Sequence, residues 1–315
     1  MKRVTTWLHI IILALVTIVF LLFIKFIANN TNAVAIQFLE DGEENIVFSE
    51  NKIIVPTKKD IKNLQKCYDN VTTYLGSTEV LANEINELYR QVQEAKKCSV
   101  ANGYFNQLND KFKQYQSKLD EIQDAICLYE EMYEVYVDAL STIPEFLVSL
   151  HSKKYTEFQE QIEPMHQKIM ELKQNYRQEE ETLENIKIDA KRIADEWFEA
   201  TYYWMCKIVN AEAGSNWMPT LERACVANVI ENRIASPKFP NNIYDVIWAP
   251  GPQYAPTVDG SINKIPTERV MKDMEDYLRG RIETGMPDDV LYQAKASWGR
   301  RIWKEFPSGH KFCFG

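Results

Sequence analysis

Apolar residues recur along much of the chain at helical seam spacing. If Leu64, Val71, Thr78, Ile85 and Val92 hold one seam position, Cys67, Tyr74, Leu81, Leu88 and Ala95 hold its partner. A second series runs Phe105, Leu108, Phe112, Tyr115, Leu119, Ile122, Ile126, Tyr129, Tyr133, Tyr136, Leu140. A third runs Phe158, Ile162, Met165, Ile169, Leu172, Tyr176, then Leu183, Ile186, Ala190, Ile193, Trp197. Steps of three and four residues keep a side chain on one face of a helix, so the pattern predicts three long helices meeting along narrow seams. Ala101-Asn102-Gly103 and Ser141-Thr142-Ile143-Pro144 are the expected breaks, and an antiparallel coiled-coil bundle is the expected packing. Pro164 removes a backbone donor, so the third helix is expected to start or bend there. The aromatic residues of the second series read as core, and Glu84, Glu87, Arg90, Glu179 and Glu180 as the solvated face. Such helices of ~40 residues are ~60 Å long, enough for a spacer or a docking arm.

Ahead of this region, Lys2 and Arg3 precede a run from Trp7 to Ile27 whose only polar residues are His9, Thr17 and Lys25. About 20 mostly apolar residues suffice to cross a bilayer. The flanking cations place the N-terminus in the cytoplasm and the remaining chain outside. Ala33-Val34-Ala35 has the small-x-small form that signal peptidase cuts, but the apolar run is longer than a signal-peptide core, so an uncleaved single-pass anchor is expected. Alternation around Ile46-Val-Phe and Ile53-Ile-Val predicts a small hairpin in the linker that follows.

Composition changes the picture after Trp197. Trp204, Trp217, Trp248, Trp298 and Trp303 are five of the seven Trp in the chain. The net charge of −9 is also uneven: residues 201–315 hold 14 Lys+Arg against 13 Asp+Glu, so the acidity belongs to the first 200 residues. An acidic chain argues against a nucleic-acid partner. Only four His are present, and His310 alone lies in the C-terminal part. A multi-histidine zinc amidase and a Ser-His-Asp enzyme are therefore poorly supported, and no metal or cofactor site is expected. Cys225 or Cys206 with His310 is the remaining thiol-peptidase pairing, without the usual sequence around such a nucleophile. The six Cys form no C-x-x-C pair and read mainly as small buried residues.

Five segments occur in a telling order: Ile208-Val-Asn-Ala-Glu212-Ala-Gly; Ala224-Cys-Val-Ala-Asn-Val-Ile-Glu-Asn232-Arg233-Ile; Ser236-Pro-Lys-Phe-Pro-Asn-Asn-Ile-Tyr-Asp-Val-Ile247; Pro250-Gly-Pro-Gln253-Tyr254-Ala-Pro with Asp259-Gly260-Ser-Ile; and Val290-Leu-Tyr-Gln293-Ala with His310-Lys-Phe312-Cys-Phe314. Together they resemble the SleB/CwlJ-type cell wall hydrolase family over about residues 203–315. The resemblance implies an α-rich, lysozyme-like domain with a small β-sheet, acting on peptidoglycan glycan strands. It places Glu212 at the catalytic acid and Gln253, Tyr254 and Asp259 in the substrate groove, and makes Val290-Leu-Tyr-Gln293-Ala and His310-Lys-Phe312-Cys-Phe314 closing strands; Trp217 is a further candidate for binding substrate, since sugar rings stack on indoles. Gly214-Ser-Asn-Trp stands where the family commonly has Arg-Gly-Glu, and Pro252 looks like an insertion.

The residues around Glu212 agree with that role. Met205, Ile208, Val209, Ala211 and Ala213 are apolar, and burial among them raises a carboxyl pKa toward the range a general acid needs. Glycosidases normally use two carboxylates. Glu222, Asp245 and Asp259 are the other candidates, none marked by a local pattern. One acid/base suffices if the C6 hydroxyl of the cleaved sugar attacks its own anomeric carbon, as in lytic transglycosylation at the N-acetylmuramic acid to N-acetylglucosamine bond. The expected organisation is mainly α: an anchor or signal segment at 1–28, a linker at 29–59, a coiled-coil stalk at 60–200 and a hydrolase-like domain at 201–315. The rival reading is an envelope scaffold that grips peptidoglycan without cutting it and recruits a partner, or a second copy, through the coiled coil.

Overall fold

The computed structural model describes residues 34–38, 44–48, 58–141, 152–250, 253–295 and 299–315. The expected membrane segment at 7–27, the Ile53-Ile-Val run, Pro252 and Trp298 lie outside them. Among the described residues no helix is long and apolar enough to cross a membrane.

The three predicted helices are α1 (Lys58–Glu94), α2 (Cys98–Ser141) and α3 (Ser152–Ala213). Leu64, Val71, Thr78, Ile85 and Val92 are buried along α1, and Leu108, Tyr115, Ile122, Ile126 and Tyr129 along α2. Three expectations need correction. The first break falls at residues 95–97, and Ala101-Asn102-Gly103 lies inside α2. The third helix does not start at Pro164, which sits within α3. There Ile162, Met165 and Ile169 are all buried, and their packing outweighs the one backbone bond that proline removes. Glu179 is half-buried rather than solvated, and burial raises its pKa.

Contacts divide the chain into two compact units. One comprises the chain up to Leu75 together with Asp120–Asn175. In it Lys173 meets Glu130 at 2.6 Å, the Cys67 thiol lies 3.8 Å from the Met132 sulfur, and His166 lies flat on Tyr133 with ring centroids 3.7 Å apart. Strands β1 (Val34–Phe38) and β2 (Glu44–Phe48) pair antiparallel with Val34 opposite Phe48; the expected run Ile46-Val-Phe lies in β2, and its partner is β1, which the alternation does not mark.

The other unit comprises Gly76–Leu119 and Tyr176–Gly315. Within it Lys111 pairs with Glu84 at 2.7 Å, Lys187 caps the Phe112 ring at 4.3 Å and Tyr89 donates to Asp189 at 2.7 Å. Residue numbers fall on α3 as they rise on α2, from the Phe112–Lys187 pair to the Gln116–Glu180 pair, so these neighbours run antiparallel. Residue 200 is not a boundary of this unit, because α3 passes through it unbroken.

The remaining elements are α4 (Thr220–Ala235), α5 (Ile243–Ile247), α6 (Ala255–Asp259), α7 (Glu268–Leu278), β3 (Val290–Ala294), β4 (Ile302–Glu305) and β5 (Lys311–Phe314). The closing strands form a three-stranded antiparallel sheet in the order β3-β5-β4. Helix α4 is the centre of the core. Ala224, Cys225, Val226, Ala227, Val229 and Ile230 have no exposed surface, and Glu222, Arg223, Glu231, Asn232 and Arg233 are buried with them. Buried charge is tolerated only when paired. Arg223 meets Asp273 of α7 at 2.6 Å, and Glu231 accepts 2.8 Å and 3.0 Å bonds from the Tyr277 hydroxyl and the Ser99 N–H. Thr267 starts α7 by accepting from the Val270 N–H, and its apolar face of Val270, Met274, Tyr277 and Leu278 closes over α4.

Candidate active site

Glu212 occupies the last turn of α3, which ends at Ala213. Buried Met205, Ile208 and Val209 pin the preceding turns into the core, leaving Glu212 half-buried at the rim. The chain turns away at once because residue 214 is glycine: a Cβ there would stand 2.1 Å from the Asn210 carbonyl oxygen. Burial raises the Glu212 pKa above its ordinary value; the positive Arg233 opposes the shift and the negative Asp259 adds to it.

Arg233 comes from the last turn of α4. Its Nε donates to the Leu291 carbonyl on β3 at 2.7 Å. Its guanidinium carbon lies 5.0 Å from the Tyr254 ring centre, 5.1 Å from that of Phe239 and 5.8 Å from that of Tyr292. Three chain segments thus cage one cation beside a carboxyl group that gains by being neutral. Arg233 Nη1 and Tyr254 Oη are both buried, and neither meets a partner in full hydrogen-bond geometry. Burial pushes the Tyr254 phenol up to about 12, with Arg233 pulling it down and Glu212 pushing it further up. It therefore stays a hydrogen-bond donor at neutral pH.

Tyr254 is only 3% exposed and its ring faces Arg233, so it has no free face for a sugar to stack on. Gln253, beside it, is exposed. Asp259 ends α6, and Gly260 follows with φ 79°, the left-handed conformation that glycine adopts without strain. The Asp259 carboxylate is exposed and is held below its usual pKa by the Ser261 hydroxyl and N–H, the latter 2.8 Å away. Trp217 stands 67% exposed between α3 and α4. Asp259 is near enough for its charge to act on Glu212, and Glu212 near enough to act on Tyr254.

The other carboxylates have structural work. Glu222 is wholly buried, with His310 Nδ1 2.9 Å from its Oε1 and the Ser308 hydroxyl hydrogen-bonded to the same oxygen. Asp245 accepts a 2.7 Å bond from Asn242, whose side chain caps α5. That commits the domain's histidine to the fold. Cys225 is fully buried, and burial pushes its thiol up to about 12, so it stays neutral and unreactive. All six cysteines are free thiols. Among the described residues no three His, Cys, Asp or Glu side chains group as a metal site.

One residue of the site, Arg233, carried no role in the sequence reading. An arginine in a helix's last turn looks like an ordinary complement to the helix dipole, and nothing local to Arg233 announces its aromatic cage.

Residues 218–312 match the Cell Wall Hydrolase family. Among solved structures, the catalytic domain of the Bacillus cereus SleB protein is 29% identical, with 35% of this chain and 89% of that one covered and a TM-score of 0.30. The catalytic domain of the germination-specific lytic transglycosylase SleB from Bacillus anthracis is 30% identical, covering 36% and 95%, with a TM-score of 0.29. No curated protein matches the chain.

Proposed function

From the premise that the C-terminal domain is a SleB/CwlJ-type cell wall hydrolase domain, we propose that it cleaves peptidoglycan glycan strands as a lytic transglycosylase, with Glu212 as acid and then base. The single observation that carries this is the placement of Glu212, half-buried in the last turn of α3, where burial raises its pKa and so favours the neutral form. The neutral carboxyl gives its proton to the oxygen leaving C1 of N-acetylmuramic acid as the C1–O bond breaks. The C6 hydroxyl oxygen of the same sugar then bonds to C1, and its proton returns to Glu212. No water is consumed and the product ends in a 1,6-anhydro ring. The positive Arg233 eases the moment at which Glu212 is ionised, and exposed Gln253 offers hydrogen bonds to sugar substituents.

One observation favours a second reading, hydrolysis. Asp259 is an ionised carboxylate whose charge reaches Glu212, and a water held between two such groups would attack the anomeric carbon instead. In either case the apolar segment at 7–27 would hold the chain in the cell membrane with the domain outside, and the long helices would space it from the bilayer or recruit a partner.

The test is digestion of isolated cell walls with the detergent-solubilised full chain, followed by mass spectrometry. Anhydro-muramic ends support transglycosylation, and reducing muramic ends support hydrolysis. Free stem peptides would refute both. No release by the wild type favours a non-cutting scaffold.

A further inference from the structure

Tyr203 and Trp204 on α3 meet Tyr244 and Trp248 from α5 and its C-cap in one aromatic cluster. Ring centroids stand 5.1 Å apart for Tyr203–Trp204, 5.2 Å for Trp204–Tyr244 and 6.3 Å for Trp204–Trp248, with the rings near perpendicular. The cluster is not core: Tyr203 is 58%, Tyr244 50% and Trp248 40% exposed. Large rings left in water next to one another mark a binding surface.

Its place along the chain says what it binds. Helix α3 leads from Trp204 to Glu212 in eight residues, a rise of ~12 Å, about the length of two sugar rings. Tyr254 follows Trp248 by six residues. Between the cluster and the acid on α3, Lys207 holds the carbonyls of Asn263 and Lys264 at 3.3 Å and 3.1 Å, in the segment that follows Asp259. Helix α3 therefore carries both the aromatic cluster and the candidate acid, and the segment after Asp259 is tied to the turn between them.

We propose that Tyr203, Trp204, Tyr244 and Trp248 form a distal platform for the same glycan strand, binding sugar rings about two units away from the bond at Glu212. This rests on the glycan-strand reading above. The chemistry suits it: the axial C–H bonds of a pyranose carry partial positive charge, and an aromatic face carries the complementary negative one. A platform that touches only unreacting sugars strengthens binding of substrate and transition state alike, so it lowers KM and leaves kcat in place.

Two measurements on the full chain test it. The first is binding of the Glu212→Gln protein to purified glycan strands stripped of stem peptides. Adding Tyr244→Ala with Trp248→Ala should weaken binding about tenfold or more, and Tyr244→Phe with Trp248→Phe should restore most of it. The second is cleavage by otherwise wild-type protein, where the double alanine variant should raise KM on long strands and leave KM on tetrasaccharides unchanged. Loss of binding in a protein that never cuts would uphold the platform and reject the catalytic reading. Unchanged affinity and unchanged KM on long strands would overturn the platform. So would a wild-type dimer that the alanine pair dissolves, since the patch would then be a contact between copies.

Discussion

Lys97 Nζ meets Asn232 Oδ1 at 2.5 Å, joining the turn between α1 and α2 to the residue that precedes Arg233. The same ammonium reaches Asp288, and Asn232 spends its own amide on the Pro287 and Val290 carbonyls at 2.8 Å and 2.9 Å. One residue back, buried Glu231 draws on the N–H and hydroxyl of Ser99. A fragment beginning at residue 201 would strip these partners and leave Glu231 and Asn232 buried and short of hydrogen bonds, at ~1–3 kcal/mol for each group. Such a fragment should melt well below a chain that keeps the helices, and its α4 amides should lose protection. Equal melting temperatures and equal hydrogen exchange would count against any role for the helices in holding α4. In the full chain, Lys97→Met should cost ~1–3 kcal/mol by thermal denaturation.

Glu212→Gln separates chemistry from stability. Removing a general acid/base typically costs 10²–10⁴-fold in rate, and a loss of roughly that size is expected in muropeptide release. Stability should move the other way. A carboxyl whose folded-state pKa is raised favours the fold in its protonated form, so its contribution is complete below the unfolded-state value and is lost as pH rises through the folded-state value. Glutamine carries no such loss. The variant should melt higher than wild type at about pH 8 and converge with it toward about pH 4. A variant that melts lower at both ends would mean that the Glu212 environment does not favour the neutral form.

The helices and the partial burial of Glu212 were legible because each is written locally. Seam residues such as Leu64, Val71 and Ile85 declare themselves by spacing, and the burial of Glu212 by its apolar neighbours within one helix, whereas its proposed role as acid came from its place in the family motif. What was misread depends on distant contacts. Gly103 looked like a breaker, yet Gly280 of the far segment, at φ 69°, comes so close that a Cβ on it would stand 2.7 Å from the Gly103 nitrogen. The glycine therefore marks a close crossing inside a helix. The Arg233 cage draws Phe239, Tyr254 and Tyr292 from three places, and the tie between Glu222 and His310 spans most of the domain. No local pattern carries either.

That tie yields a control. Glu222 lies in the same domain as Glu212 and is wholly buried, yet its oxygen is engaged by His310 and Ser308. Glu222→Gln should lower the melting temperature, at ~1–3 kcal/mol, while the folded fraction keeps kcat within a few-fold of wild type. Double substitution with His310→Gln should cost less than the sum of the two singles, because each alone strands the other. A thousandfold fall in kcat at unchanged stability would instead make Glu222 the second catalytic carboxylate.

Arg233 and Asp259 act on Glu212 with opposite sign, and that opposition can be read in a pH profile. Arg233 lowers the Glu212 pKa and Asp259 raises it. As a general acid, Glu212 is active while protonated, so the rate falls on the alkaline side as pH passes its folded-state value. Arg233→Met removes the stabilising cation and should carry the alkaline limb to higher pH, with a lower maximum because the ionised form is then harder to reach. Asp259→Asn removes the like charge and should carry the limb to lower pH. The second shift should be the smaller, since Asp259 is exposed and water screens it, and added salt should shrink it further. If Asp259 instead activates water, Asp259→Asn would abolish cleavage at every pH, and the products would carry reducing rather than anhydro ends. Limb shifts of the same sign in both variants would show that one of the two charges does not act on Glu212 as the geometry requires.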